Sequence, residues 1–156
     1  MSKDDRGVIA DWVVLLSGVL LFASLFLAWS RLSPAYVAVA DRLQTLQGVP
    51  PDPTAWQVYS AADVVLAVLA ASLAVIALVG NKRGQIGAMV AALLALAFAI
   101  HAVGAAPTNG APDALRASAD VTQYVAPAPD PGAGETLAII ALVSAIAGLG
   151  VSLVSD

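Results

Sequence analysis

Residues 136–155 read TLAIIALVSAIAGLGVSLVS, twenty positions without one charged side chain. At about 1.5 Å of rise per residue, roughly 20 apolar residues carry a helix across ~30 Å of hydrocarbon. Three other stretches have the same character: residues 8–29 (VIADWVVLLSGVLLFASLFLAW), residues 62–80 (ADVVLAVLAASLAVIALVG) and residues 85–106 (QIGAMVAALLALAFAIHAVGAA). The first is uncharged after Asp11, the second after Asp63, and the third is interrupted only by His101. Lipid offers the backbone no partners, so uncharged runs of this length are expected to be helices. All nine prolines fall outside the four runs, so no kink is expected within a span. The expected fold is an all-α membrane protein, a bundle of four transmembrane helices with two long outer loops.

Composition agrees. The chain has 156 residues, 60% hydrophobic and 12% charged, with a mean hydropathy of +0.86. Soluble domains are about 45–50% apolar and about 25% charged. A domain this small cannot hide so much apolar surface. The net charge of −4 argues against nucleic acid as a partner. No cysteine is present, which removes disulfides, thiolate zinc sites and iron–sulfur clusters. His101 is the sole histidine. No metal site or cofactor is expected, and no HExxH, GxSxG, Walker loop or GxGxxG marks an enzyme.

The expected layout is a cytoplasmic N-terminus (1–7), span one (8–29), an outer loop (30–61), span two (62–80), a tight cytoplasmic turn (81–84), span three (85–106), a second outer loop (107–135) and span four (136–155). The first apolar run is too long for a signal-peptide core and is read as an anchor. Lys3, Arg6, Lys82 and Arg83 crowd the short segments on one side, whereas Arg31, Arg42 and Arg116 are spread over the long loops. The positive-inside rule therefore puts both termini in the cytoplasm, with the protein multi-pass in the cell (plasma) membrane. Trp12, Trp29, Trp56 and Tyr59 are expected as interface anchors. The inner acids Asp4, Asp5, Asp11 and Asp156 balance the inner bases, with Asp11 expected near Lys82 and Arg83. Asp41, Asp52, Asp63, Asp113, Asp120, Asp130 and Glu135 outnumber the outer arginines, so the outer face carries the whole net charge.

Within the first outer loop, Ser33 and Pro34 open a helical pattern that Gly48 and Pro50 close. Tyr36, Val39, Leu43 and Leu46 line one stripe of it. Such a helix either lies amphipathically on the membrane or packs on the mouth of the bundle. A weaker helical stretch covers residues 112–125, before a proline-rich linker.

Small residues four apart allow close helix approach in lipid. Gly87, Ala91, Ala95 and Ala99 form such a row in span three, and Ser144, Gly148 and Ser152 in span four. These rows serve packing inside one bundle or a face for another subunit. Ionisable groups near a span are functional candidates. Asp63 and His101 lie equally far in sequence from the turn near Lys82, which puts them at one depth, with Glu135 and Tyr59 at the same level. Three readings stay open: Ser60–Asp63 is a capping box and His101 an interface residue; or the two share a structural bond; or they handle protons or ions.

The pattern Ser24-Leu-Phe-Leu-Ala-Trp29, followed by Thr54-Ala-Trp-Gln-Val-Tyr-Ser-Ala-Ala-Asp63-Val-Val-Leu66, resembles small uncharacterised four-span integral membrane proteins of high-GC actinobacteria. Those proteins often carry proline before the tryptophan, where this chain has Ala28. The resemblance implies topology and no activity. The expected role is structural or accessory, binding the bilayer and a membrane partner or a second copy through small-residue faces and acidic outer loops. The alternative is a small transporter, channel or pH-responsive element using Asp63 and His101.

Overall fold

The computed structural model describes residues 3–32, 34, 52–58, 60–79, 81–103 and 130–155. Four long helices dominate: α1 (Lys3–Ser24), α3 (Ser60–Val79), α4 (Lys82–Ala102) and α5 (Ala133–Ser155). Between α1 and α3 come β1 (Ser30–Arg31) and the single-turn helix α2 (Ala55–Val58); β2 (Asp130–Pro131) precedes α5. All four long helices contain a stretch long and apolar enough to cross a membrane: Gly7–Ser24, Ala62–Val79, Lys82–Ala102 and Ala133–Val154. The helical stretches expected in the two outer loops, and Tyr59, lie outside the described residues.

The helices run antiparallel around one core. Ser24 of α1 lies against Gly134 of α5, and Val14 against Gly148. Gly18 of α1 meets Ala70, Leu73 and Ala74 of α3. α1 and α4 each pack on both α3 and α5, which puts α3 and α5 at opposite corners. Packing is most extensive between α1 and α5 and least between α3 and α4, although only a short turn joins those two. We call the end holding that turn the turn end, and the opposite end the loop end.

Two glycines set how closely the helices approach. A Cβ on Gly148 would stand 2.9 Å from Val14 Cγ2 and 3.2 Å from the Ala10 carbonyl oxygen. One on Gly18 would stand 2.8 Å from the Ala70 carbonyl oxygen. For helices in lipid, which lack a hydrophobic drive toward each other, such close van der Waals contact is a main source of attraction.

The core is built of Val14, Leu21, Leu25, Leu66, Leu73, Ala92, Ala141, Leu142, Ala145 and Leu149, each at most 2% exposed. Two of its polar neighbours are satisfied within their own helix: the Ser17 hydroxyl donates to Val13 O at 2.7 Å and Ser24 to Leu21 O at 2.6 Å. The outward faces carry large apolar side chains, among them Val19, Phe22, Val65, Val68, Leu78, Leu94, Ile100 and Val154. In water so much exposed apolar surface would be a liability, whereas in lipid it is the expected covering.

Two span boundaries differ from expectation. α1 stops at Ser24, five residues before Trp29, because the chain tightens there: the Leu25, Phe26 and Leu27 amides donate to Phe22 O, Ala23 O and Ser24 O at 3.2 Å each. The expected turn 81–84 is mostly helix. Asn81 caps α4, its side chain accepting from the Arg83 amide at 3.0 Å, so Lys82 and Arg83 already belong to the first turn.

Candidate functional site

The loop end is organised by the five residues after α1. Trp29 folds back beneath the helix, and its indole N–H donates to Ser24 O at 2.9 Å. Its backbone amide donates to Pro53 O at 2.9 Å and its carbonyl accepts from the Gly132 amide at 2.8 Å. The Ala28 carbonyl accepts from the Gly134 amide at 2.8 Å. A bridge pairs Ala28 with Thr54, and β1 pairs antiparallel with β2, Ser30 opposite Pro131 and Arg31 opposite Asp130. Segments around residues 30, 53 and 131 therefore form one plug. Trp29 is 1% exposed. It is the largest buried side chain of the plug and not an interface anchor, because the chain turns back at Leu25–Leu27 and draws it inward. Trp12 and Trp56 do face outward, at 57% and 38% exposure. Phe26 links the Trp56 ring to Phe22, with centroids 6.1 and 5.4 Å away.

Beside this plug lie two buried acids. Asp63, in the first turn of α3, is 0% exposed, and neither carboxylate oxygen has a hydrogen-bond partner. The capping-box reading needs that carboxylate to accept backbone N–H groups, and it accepts none. Glu135, in the first turn of α5, is 3% exposed. The Ser30 hydroxyl, on the strand leading from the plug, is also buried without a partner. His101 is not part of this group: it is exposed on α4, and no ion pair or hydrogen bond joins it to Asp63. Equal depth on a hairpin did not bring the two together, because the imidazole and the carboxylate occupy differently facing positions on their helices. Among the described residues, no three histidine or acidic side chains converge as metal ligands.

The turn end holds a different arrangement. Gln85 Nε2 donates to Ser152 Oγ at 2.9 Å, and Ser152 Oγ donates to Asp11 Oδ1 at 3.4 Å. This relay crosses α4, α5 and α1. Its direction follows from the carboxylate, which can only accept, so the serine gives its proton to Asp11 and takes one from the amide. Gln85 Oε1 is then left buried and unbonded. Asp11 joins Ser152 and forms no ion pair with Lys82 or Arg83, which are both exposed. Gln85 was not singled out by sequence. Its signal was available, since a lone amide in the first turn of one span faces the last turn of its antiparallel neighbour.

The small-residue rows divide. Gly148 and Ser152 are buried against α1 and within the relay, and Ser144 is half-buried. On α4 the buried stripe is Gln85, Ala88, Ala92, Ala99 and Ala102. Gly87 is exposed, with open space where its Cβ would be, and Ala91 and Ala95 are half-buried. Of the expected row, Ala99 is in the buried stripe, whereas Gly87, Ala91 and Ala95 sit one residue off it, because alanine populates both rows and spacing alone does not choose between them.

No family model matches the chain, and no curated protein or solved structure is similar to it.

Proposed function

We propose that the chain is a multi-pass membrane protein of structural or accessory type, seated in the plasma membrane with both termini cytoplasmic. One observation carries the preference for scaffold over conduit. Between the relay at the turn end and the acids at the loop end, the interior is closed by fully buried Leu21, Leu73, Ala92, Leu142 and Ala145; the buried Ser17 there is bonded to Val13 O, and among the described residues no ionisable side chain is buried at that depth. Transport sites in lipid lie near the midplane, commonly at broken helices, and α1, α3, α4 and α5 are continuous. The partner is a membrane protein or a second copy, met through the outer loops that bear the net negative charge. Since Gly148 is occupied by α1, the span-four row is a poor choice for that contact.

Affinity purification of the full chain in native lipid discs tests this. A defined co-purifying protein or a discrete oligomer is expected; a clean monomer in several lipid compositions overturns the reading. Orientation is read separately by labelling a single Asn81→Cys variant, feasible because the chain has no cysteine; protection from an impermeant thiol reagent in intact cells is expected.

The alternative, a transporter, channel or pH-responsive element, draws support only from the unbonded carboxylate of Asp63. If it holds, replacing Asp63 with Asn and His101 with Gln abolishes flux in proteoliposomes while the protein stays folded.

A further inference from the structure

We propose that Asp63 and Glu135 together bind a hard divalent cation at the loop end, with the Ser30 hydroxyl at the rim of the site. A carboxylate fully withdrawn from solvent costs several kcal/mol unless a proton or an opposite charge satisfies it. Asp63 meets neither a backbone donor nor a cationic side chain. Among the described residues, the cations of this end, Arg31 and His101, are both exposed.

Register brings the second acid to the same place. Counting from Asp63, α3 buries the residues three, six, seven and ten positions on: Leu66, Leu69, Ala70 and Leu73. Counting from Glu135, α5 buries the same positions: Ala138, Ala141, Leu142 and Ala145. Each acid thus heads the buried stripe of its helix, in the first turn, at the same end. The two stripes belong to one core and approach it from opposite corners of the bundle. Both carboxylates therefore face the bundle axis above Leu66 and Ala138. Ser30 reaches this end through its pairing with Pro131, four residues before Glu135.

The chemistry of the donors selects the ligand. Carboxylate and hydroxyl oxygens suit calcium, magnesium or manganese and offer nothing to softer metals. Two carboxylates carry two negative charges, which a divalent ion neutralises in a low-dielectric site. A bulky organic cation is excluded by the burial of both acids.

The test uses the full chain in lipid discs, stripped with chelator, then titrated separately with calcium, magnesium and manganese by calorimetry and thermal unfolding. One-to-one saturable binding of at least one ion is expected, with a higher unfolding midpoint. Asp63→Asn and Glu135→Gln should each weaken binding at least as much as losing a metal's outer-shell partner does, about 10- to 100-fold. Wild-type unfolding with and without the ion gives a readout that needs no variant. No saturable binding up to millimolar concentrations overturns the proposal, as does unchanged binding in both variants. A midpoint raised by acidification alone, and lost in Asp63→Asn, also overturns it and assigns the pair a shared proton. None of these outcomes bears on partner capture.

Discussion

At the turn end, Gln85, Ser152 and Asp11 pass hydrogen bonds across three helices, and the half-exposed Asp11 remains in reach of water. At the loop end, Asp63 is sealed with both oxygens unbonded beneath a plug of backbone hydrogen bonds. The same bundle thus disposes of its carboxylates in two ways. One accepts a hydrogen bond from Ser152 of a neighbouring helix, which is itself bonded to Gln85 of a third. The other has no hydrogen-bond partner for either oxygen. A carboxyl buried without donors has to be met by a proton or an opposite charge, and that contrast separates the candidate site from the packing around it.

Substitutions at the two ends can break or sharpen the contrast. The largest effect is expected from Trp29→Ala, which empties the centre of the plug and should cost about 3–5 kcal/mol. It is measured by denaturant titration in mixed micelles; a loss under about 1 kcal/mol would mean that the plug does not hold the loop end. Gly148→Val drives two methyl groups into Val14 and the Ala10 carbonyl and should cost about 1–3 kcal/mol by overpacking, accompanied by loss of α1–α5 cross-linking. Asp63→Leu should act in the opposite direction, stabilising the chelator-treated protein by about 1–3 kcal/mol, because a buried unbonded polar group is removed. A destabilised Asp63→Leu protein under those conditions would show that the carboxylate has a partner after all. Ser152→Ala breaks both bonds of the relay. Hydrogen bonds between membrane helices average about 0.6 kcal/mol, so a loss of roughly 1 kcal/mol is expected. His101→Ala should change stability by less than about 0.5 kcal/mol, as for an exposed site without specific contacts.

Most of the helical architecture was legible in the sequence, because four uncharged runs of about 20 residues admit no other structure in lipid. The short connection between the second and third runs follows from the same logic. What sequence could not show was where a span stops when hydrophobicity continues past its end. Leu25, Phe26, Leu27 and Trp29 are as apolar as the helix before them, so only the tertiary hydrogen bonds to Pro53 and Gly132 reveal that the chain has turned. The site was half legible. Asp63 and Glu135 stood out as acids at span ends, but sequence paired Asp63 with His101, since depth can be counted along a hairpin and facing cannot. The burial phase of α3 and α5 supplies the facing. Gln85 was missed because a single amide near a helix end looks like ordinary interface chemistry until Ser152 is placed opposite it.

The extensive packing of α1 on α5 has a consequence for biosynthesis. α1 finds its main neighbour only when α5 has been made, more than a hundred residues later. At about 5–20 residues per second, that delay is roughly ten seconds. Throughout it, the α1 surface around Val14 and Ala10 is incompletely covered, and Trp29 waits for Gly132 and Gly134 to complete its enclosure. A nascent chain stalled before α5 would therefore display an unfinished seam along α1, and maturation should be vulnerable until α5 is in place.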